Sequence, residues 1–264
     1  MDGWMAGGVL TVFAALASTA LFFFAVTRGA LIVRALTPGG GGAGAHVYPV
    51  YSDMRLIKLV DFQPVISAIL LFQYDRLVSR IVDELRAMDL GGREVLITSC
   101  AFGNVIPRVV GASLDTGARR VHVVDLIENE LTHARGKLGE QAARVRFSTD
   151  DATSMPHADA SVAANVMFFL LHELPHPLKE KALREAARTV APGGKLLLAE
   201  FHRPDTWWLR ALSWLYFKVF EPYGLALWNR HDPVKYLESL GGWSCKRSTC
   251  CLGNYQVIVA TREG

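Results

Sequence analysis

Cysteine is scarce in this 264-residue chain, and its four copies, Cys100, Cys245, Cys250 and Cys251, contain no C-x-x-C pair. That spacing excludes a zinc ribbon or finger and leaves buried free thiols, which suit a reducing compartment. An excess of one charge is lacking too. The net charge is +3, from 28 Lys and Arg against 25 Asp and Glu, so no clustered basic face is available to grip nucleic acid. No internal repeat occurs. Glycine is missing where a phosphate loop would need it, since Gly103 is the only one between Ser99 and Asn104. A pyrophosphate needs close backbone approach over several glycines, which argues against NAD or FAD.

Charge is absent altogether from Met5 to Thr27. As a helix this run would be roughly 34 Å long, against a hydrocarbon core of about 30 Å. A cleaved signal peptide would need a basic start, and only Asp2 is charged there. An uncleaved transmembrane anchor over residues 1–36 is expected. Arg28, Arg34, Arg55 and Lys58 follow the run and none precedes it, so the positive-inside rule puts the large domain in the cytoplasm, single-pass on the inner membrane. Residues 37–47, with TPGGGGAGA, read as a flexible tether.

What is present begins at residue 48. Apolar and aromatic residues at helical spacing run from Tyr48 through Tyr51 and Tyr74 to about residue 90, broken near Pro64. They are expected to cover the sheet edge or to form a lid over a hydrophobic substrate. From Glu94 to Phe201, short apolar runs alternate with helical or loop segments, the order of a doubly wound α/β sheet. Trp243 to Thr261 would close it with antiparallel strands. In such sheets ligands bind at the carboxyl ends of the strands. The first strand, Val95 to Ser99, is followed by the loop Cys100 to Asn104. Asp125, beside Leu126, ends the second and can accept both hydroxyls of a ribose. Asp151, or Asp150 next to it, follows the third and can accept from an adenine amino group, with Ala152 leaving room for the ring. Phe168 falls near the end of the fourth strand, beside a methionyl chain. Pro192-Gly193-Gly194 reads as a turn before a fifth strand over Lys195 to Glu200.

His172-Glu173-Leu174-Pro175-His176 matches the zinc-protease pattern, but Pro175 interrupts the helix that the pattern requires. His172 and Glu173 instead sit at the expected mouth of the pocket, and His202 holds the equivalent place after the fifth strand. A histidine can move protons near neutral pH and a carboxylate can deprotonate or hold a metal. With Asp151 these three would make an oxygen–nitrogen site suited to manganese or magnesium, if they converge. Trp207 to Trp228 is crowded with aromatics, among them Tyr223. It is read as a helix lying on the membrane and opening a path for a lipid-soluble substrate.

The motif DATSMPHADAS, then a strand, a helix and APGGKLLLAE, resembles the class I S-adenosylmethionine-dependent methyltransferases. FFLLHELP, LLLAEFHRP, FEPYGLALW and the C-A-F-G loop are similar to the rhodoquinone-biosynthesis methyltransferase-like proteins, from about Tyr48 to Trp228. The resemblance implies a Rossmann-like fold with a mostly parallel seven-stranded sheet; the N-terminal transmembrane helix is expected from the apolar run itself and is no part of the resemblance. The resemblance also implies S-adenosylmethionine as cofactor, with a divalent metal, and a lipid-soluble quinone as membrane partner. Ubiquinone would become rhodoquinone by exchange of a ring methoxy for an amino group. The implied cofactor residues are Ser99, Cys100, Gly103, Asp125, Leu126, Asp151, Ala152 and Phe168. Substrate would meet Tyr48, Tyr51, Tyr74, Tyr223 and Trp228, and His172, Glu173 and His202 would be catalytic. Ordinary class I enzymes carry an acid just before their loop where this chain has Ser99-Cys100, and Phe-Asp where it has Val162-Ala163. Both departures point away from plain methyl transfer. A conventional methyltransferase on a quinone, phenol or lipid, and a non-catalytic membrane adaptor, are the alternatives.

Overall fold

A computed structural model describes residues 51, 54–219 and 222–264, with isolated helical positions at 14, 17, 18 and 21. The expected anchor is otherwise outside the described residues, as are the tether and Tyr48. Among the described residues no helix is long and apolar enough to cross a membrane.

Among the described residues the strands are β1 (Glu94–Thr98), β2 (Arg120–Asp125), β3 (Val145–Thr149), β4 (Val162–Phe168), β5 (Val190–Phe201), β6 (Trp243–Cys250) and β7 (Tyr255–Arg262). They form one sheet in the order β3-β2-β1-β4-β5-β7-β6. β3 to β5 of that order are parallel, and β7 and β6 add antiparallel. Strand order reverses between β1 and β4, so the crevice at their carboxyl ends is where such a sheet takes a ligand. β1 alternates as a two-sided strand must: Val95 and Ile97 join one core, and Leu96 the other.

The first core is covered by helices α3 (Tyr74–Arg86), α4 (Val105–Asp115) and α5 (Glu128–Leu138), preceded by two short helices, α1 (Met54–Val60) and α2 (Gln63–Ile69). In α3, Tyr74, Leu77, Val78, Ile81, Val82 and Leu85 are buried, an i, i+3, i+4, i+7 stripe that a helix lays against a sheet. The expected lid over 48–90 is therefore divided. α3 is core, and only the segment before it reaches the cleft described below. The expected break near Pro64 falls at Asp61-Phe62, because Pro64 sits in the first turn of α2, where its missing N–H costs nothing.

The second core is covered by α6 (His176–Thr189) and, after α7 (Trp207–Val219) and the short α8 (Ala226–Asn229), by α9 (Pro233–Ser239). The expected turn at Pro192-Gly193-Gly194 lies inside β5, as an irregularity in its pairing. Val162 faces Val190, while Ala164 already faces Lys195. Gly194 is required there, since a Cβ would lie 2.6 Å from the Ala163 carbonyl oxygen.

Candidate functional site

A cleft opens at the carboxyl ends of β1, β2 and β3, where a sheet of this kind takes its ligand. The loop after β1 forms one wall. Ser99 takes a left-handed backbone, φ 78°, a conformation that favours glycine. What holds it there is Asp125 at the end of β2. The Asp125 carboxylate accepts from the Cys100 amide at 2.6 Å, the Ser99 hydroxyl at 3.2 Å and the Ile127 amide at 2.8 Å. Burial pushes the Asp125 carboxyl up, opposed by those same hydrogen bonds. Cys100 is also pushed well up, by burial and then by Asp125 and Glu130, so it is a protonated thiol and no nucleophile.

The far end of the same loop is clamped from behind. Asp61, after α1, accepts from the Gly103 amide at 2.6 Å and from Lys137 at 2.9 Å, and pairs with His133 at 2.8 Å. Lys137 also donates to the Gly103 carbonyl at 2.8 Å. Gly103 has φ 80°, and a Cβ there would meet the Tyr74 hydroxyl at 2.4 Å. Tyr74 is 1% exposed, and its hydroxyl accepts from the Val105 amide at 2.8 Å. Its place is thus behind the loop, outside the lining of the cleft.

Tyr51 closes the mouth. Its ring stacks on Phe102 at 5.8 Å, its carbonyl accepts from Asn129, and its hydroxyl donates to Glu173 at 2.5 Å. Glu173 belongs to a tight turn, Leu171–Glu173, after β4. The fully buried Lys179 of α6 fixes that turn by donating to the carbonyls of Leu171 and, at 2.5 Å, Leu174.

Eight of the expected residues thus line one cleft: Tyr51, Ser99, Cys100, Asp125, Leu126, Asp151, Ala152 and Glu173. Asp150 lines it as well and accepts from the Ser148 hydroxyl at 2.5 Å, while Asp151 accepts from the Thr153 amide at 2.8 Å. Several other expected residues lie elsewhere. His172 is buried away from the cleft, paired with the fully buried Glu200 at 3.0 Å and edge-on to Phe201. His202 pairs with the Gly253 carbonyl at 2.7 Å and lines a second cleft, as does Trp228. Phe168 is core, edge-on to Tyr74 and Phe169. Gly103 shapes the loop without lining the cleft, and Tyr223 is 37% exposed at the surface. The four residues expected to hold a metal form no three-ligand group among the described residues.

Residue reading missed Glu130. It lines the cleft at 3% exposure, and its Oε1 is buried with no hydrogen-bond partner. Burial first, then Asp125, push its carboxyl up to about 9. The signal was in the phase of α5, where Glu130, Ala134 and Leu138 are all buried at four-residue spacing. With Glu130 counted, five carboxyl groups and no lysine or arginine line the cleft among the described residues. Val124, Leu126, Ile127, Leu170, Leu174 and Leu178 supply the apolar walls. Such a cleft repels phosphates and fits a ligand with a flat apolar ring, a diol and positive charge.

Residues 95–194 match the family model described as a methyltransferase domain. The ubiquinone/menaquinone biosynthesis C-methyltransferase UbiE of Paracoccus denitrificans is 33% identical over 124 residues, 45% of this chain and 48% of that protein. The UbiE protein of Azotobacter vinelandii is 31% identical over 168 residues, 61% of this chain and 63% of that protein. The chain thus spans about half to three fifths of the length of these relatives. Magnesium protoporphyrin IX methyltransferase (ChlM) from Synechocystis, solved with bound SAH, superposes with a TM-score of 0.52 at 17% identity, covering 72% of this chain and 83% of that one. At that identity the likeness is one of fold.

Proposed function

We propose that this chain, which has the class I S-adenosylmethionine-dependent methyltransferase fold and sequence kinship with that superfamily, is a transferase of quinone metabolism that uses S-adenosylmethionine. The observation that carries the cofactor is the cleft's polarity: among the described residues five carboxyl groups line it, Glu130 held protonated and the rest acidic, with no lysine or arginine, which suits a sulfonium and an ammonium and disfavours a dinucleotide. Bound there, S-adenosylmethionine would supply an electrophilic methyl and an amine. Asp125, which already accepts from Ser99, Cys100 and Ile127, has one acceptor position left for a ribose hydroxyl, and Asp150 or Asp151 can accept from the adenine amino group. The unpartnered Glu130 oxygen is a further polar contact inside the cleft. Glu173 and Tyr51, joined at 2.5 Å, stand at the mouth, where a proton must leave whichever ring reaction occurs.

The quinone is supported by the relatives' printed names, and by the aromatic helix. In α7, Leu209 and Phe217 are buried while Trp207, Trp208, Leu212, Trp214 and Leu215 are about half exposed or more. Trp and Leu on one exposed face favour a bilayer surface. Together with the apolar N-terminal run they support a membrane-held enzyme whose catalytic domain faces the cytoplasm. The finer reading is exchange of a ubiquinone methoxy for an amino group. It is supported by the resemblance and by the loop itself, where Ser99, Cys100 and Phe102 stand in place of glycines. Manganese or magnesium belongs to that reading, although His172 and His202 have other partners.

Mass spectrometry of quinones, after incubating the membrane-bound protein with ubiquinone, S-adenosylmethionine and manganese, tests this. A product with methoxy replaced by amino is expected. Methylation of a demethylated precursor offered in parallel would establish the conventional methyltransferase instead. No turnover of either, with no binding of S-adenosylmethionine by calorimetry, would leave the adaptor.

A further inference from the structure

His176 failed as a zinc-protease ligand because Pro175 starts a new helix between it and His172. It has other company. His176 opens α6, Glu180 lies one turn on along the same face, and His231, just before α9, packs against both. One ligand atom from each lies within 4.8 Å of the other two. The imidazole rings stand 5.7 Å apart, edge to face, and His231 Nδ1 is 3.6 Å from Glu180 Oε1.

We propose that His176, Glu180 and His231 form a binding site for a first-row divalent transition-metal ion, and that zinc is the ion they suit. His231 is 3% exposed, and its Nε2 has no hydrogen-bond partner. His176 Nδ1 is also buried and unpartnered. Burying a polar atom without a partner costs about 1–3 kcal/mol. The histidines discussed above escape that cost: His133 has Asp61, His172 has Glu200 and His202 has the Gly253 carbonyl. A cation bound through those nitrogens would relieve it here. Two imidazoles and one carboxylate are a zinc-type ligand set, whereas magnesium prefers oxygen alone. Zinc bonds of about 2.1 Å need tetrahedral ligand atoms about 3.4 Å apart, so a modest rotation of these side chains closes the site. Three protein ligands leave a fourth position. Glu180 and His231 also line the second cleft, so that position faces an open space and not the core. The ion would join α6 to the segment before α9, away from the carboxylate-lined cleft.

The test is calorimetric titration of the chelator-stripped full chain with zinc, manganese and magnesium chloride, with thermal unfolding followed alongside. One saturable zinc site of micromolar affinity or better is expected, weaker for manganese and absent for magnesium. Zinc should raise the unfolding temperature. His176→Ala and Glu180→Gln should each raise the zinc Kd at least tenfold and abolish that rise, while unfolding without metal near the parent temperature. His231 is too deeply buried to serve as the first variant. No saturable zinc binding would overturn the proposal. So would zinc binding unaltered in both variants, which would place the ion on the cysteines, or a magnesium response equal to that of zinc.

Discussion

Asp125 does two things at once. It holds the loop after β1 through the Ser99 hydroxyl and the Cys100 amide, and it faces the cleft. Asp125→Ala should therefore weaken S-adenosylmethionine binding at least tenfold, about 1.4 kcal/mol or more, and calorimetric titration reads it directly. An unchanged affinity would remove Asp125 from the ribose site. Glu130 makes a prediction about pH. Its carboxyl is raised from the usual carboxylate range to about 9. The folded protein then holds a proton that the unfolded chain releases, so stability contributed by that proton is fully present below about pH 4.5 and is lost as pH rises toward 9. Glu130→Gln cannot lose it. The variant should become the more stable of the two as pH rises through that window, by on the order of a few kcal/mol at the top. Parallel denaturation profiles from pH 5 to 9 would mean that Glu130 is ionised in the fold. Asp125 was legible because strand-end acids have a fixed place in this kind of sheet. Glu130 looked like one more solvated helix charge, and its burial depends on what α5 packs against.

Elements of this chain are set by local pattern, and their functions by where they land. The stripe of α3 and the two-sided apolar strands could be read directly, because each periodicity reflects one buried face. That α3 is core and α1 is tied to the loop after β1 could not, because the tie is Asp61 reaching the Gly103 amide and Lys137 across the chain. Gly103 belongs to this scale. A methyl there meets the buried Tyr74 hydroxyl and forces a positive φ on an L residue. Gly103→Ala should cost about 2–4 kcal/mol, from left-handed strain plus overpacking. Chemical denaturation checks it, and a loss within experimental error would mean that the loop relaxes freely. The segment after β4 makes the same point. His172 and Glu173 are adjacent, yet one pairs with Glu200 in the interior and the other with Tyr51 over the cleft. Lys179, buried against the turn's carbonyls, fixes which faces which way.

At the scale of the whole molecule, the faces separate by chemistry. The acidic cleft lies at the carboxyl ends of β1 to β3, and the exposed Trp and Leu face of α7 follows β5. Replacing Trp207, Trp208 and Trp214 together with serine should reduce binding of the chain lacking residues 1–36 to anionic vesicles, without loss of stability, because those rings are 79%, 50% and 48% exposed. Sedimentation with vesicles measures this. Equal sedimentation of the variant would take the membrane role from α7 and leave it to the N-terminal run.

What the amino-acid sequence determined by itself is the order of elements, the sheet class, the strand-end carboxylates and the refusal of a phosphate cradle. Each follows from periodicity, proline and glycine placement or local charge, which act between neighbours in the chain. Only the tertiary structure decided that Glu130 faces the cleft, that His172 does not, and that His176 meets His231. Those outcomes depend on packing between segments far apart in sequence. There, burial and the need to satisfy every polar atom choose among partners that no local pattern distinguishes.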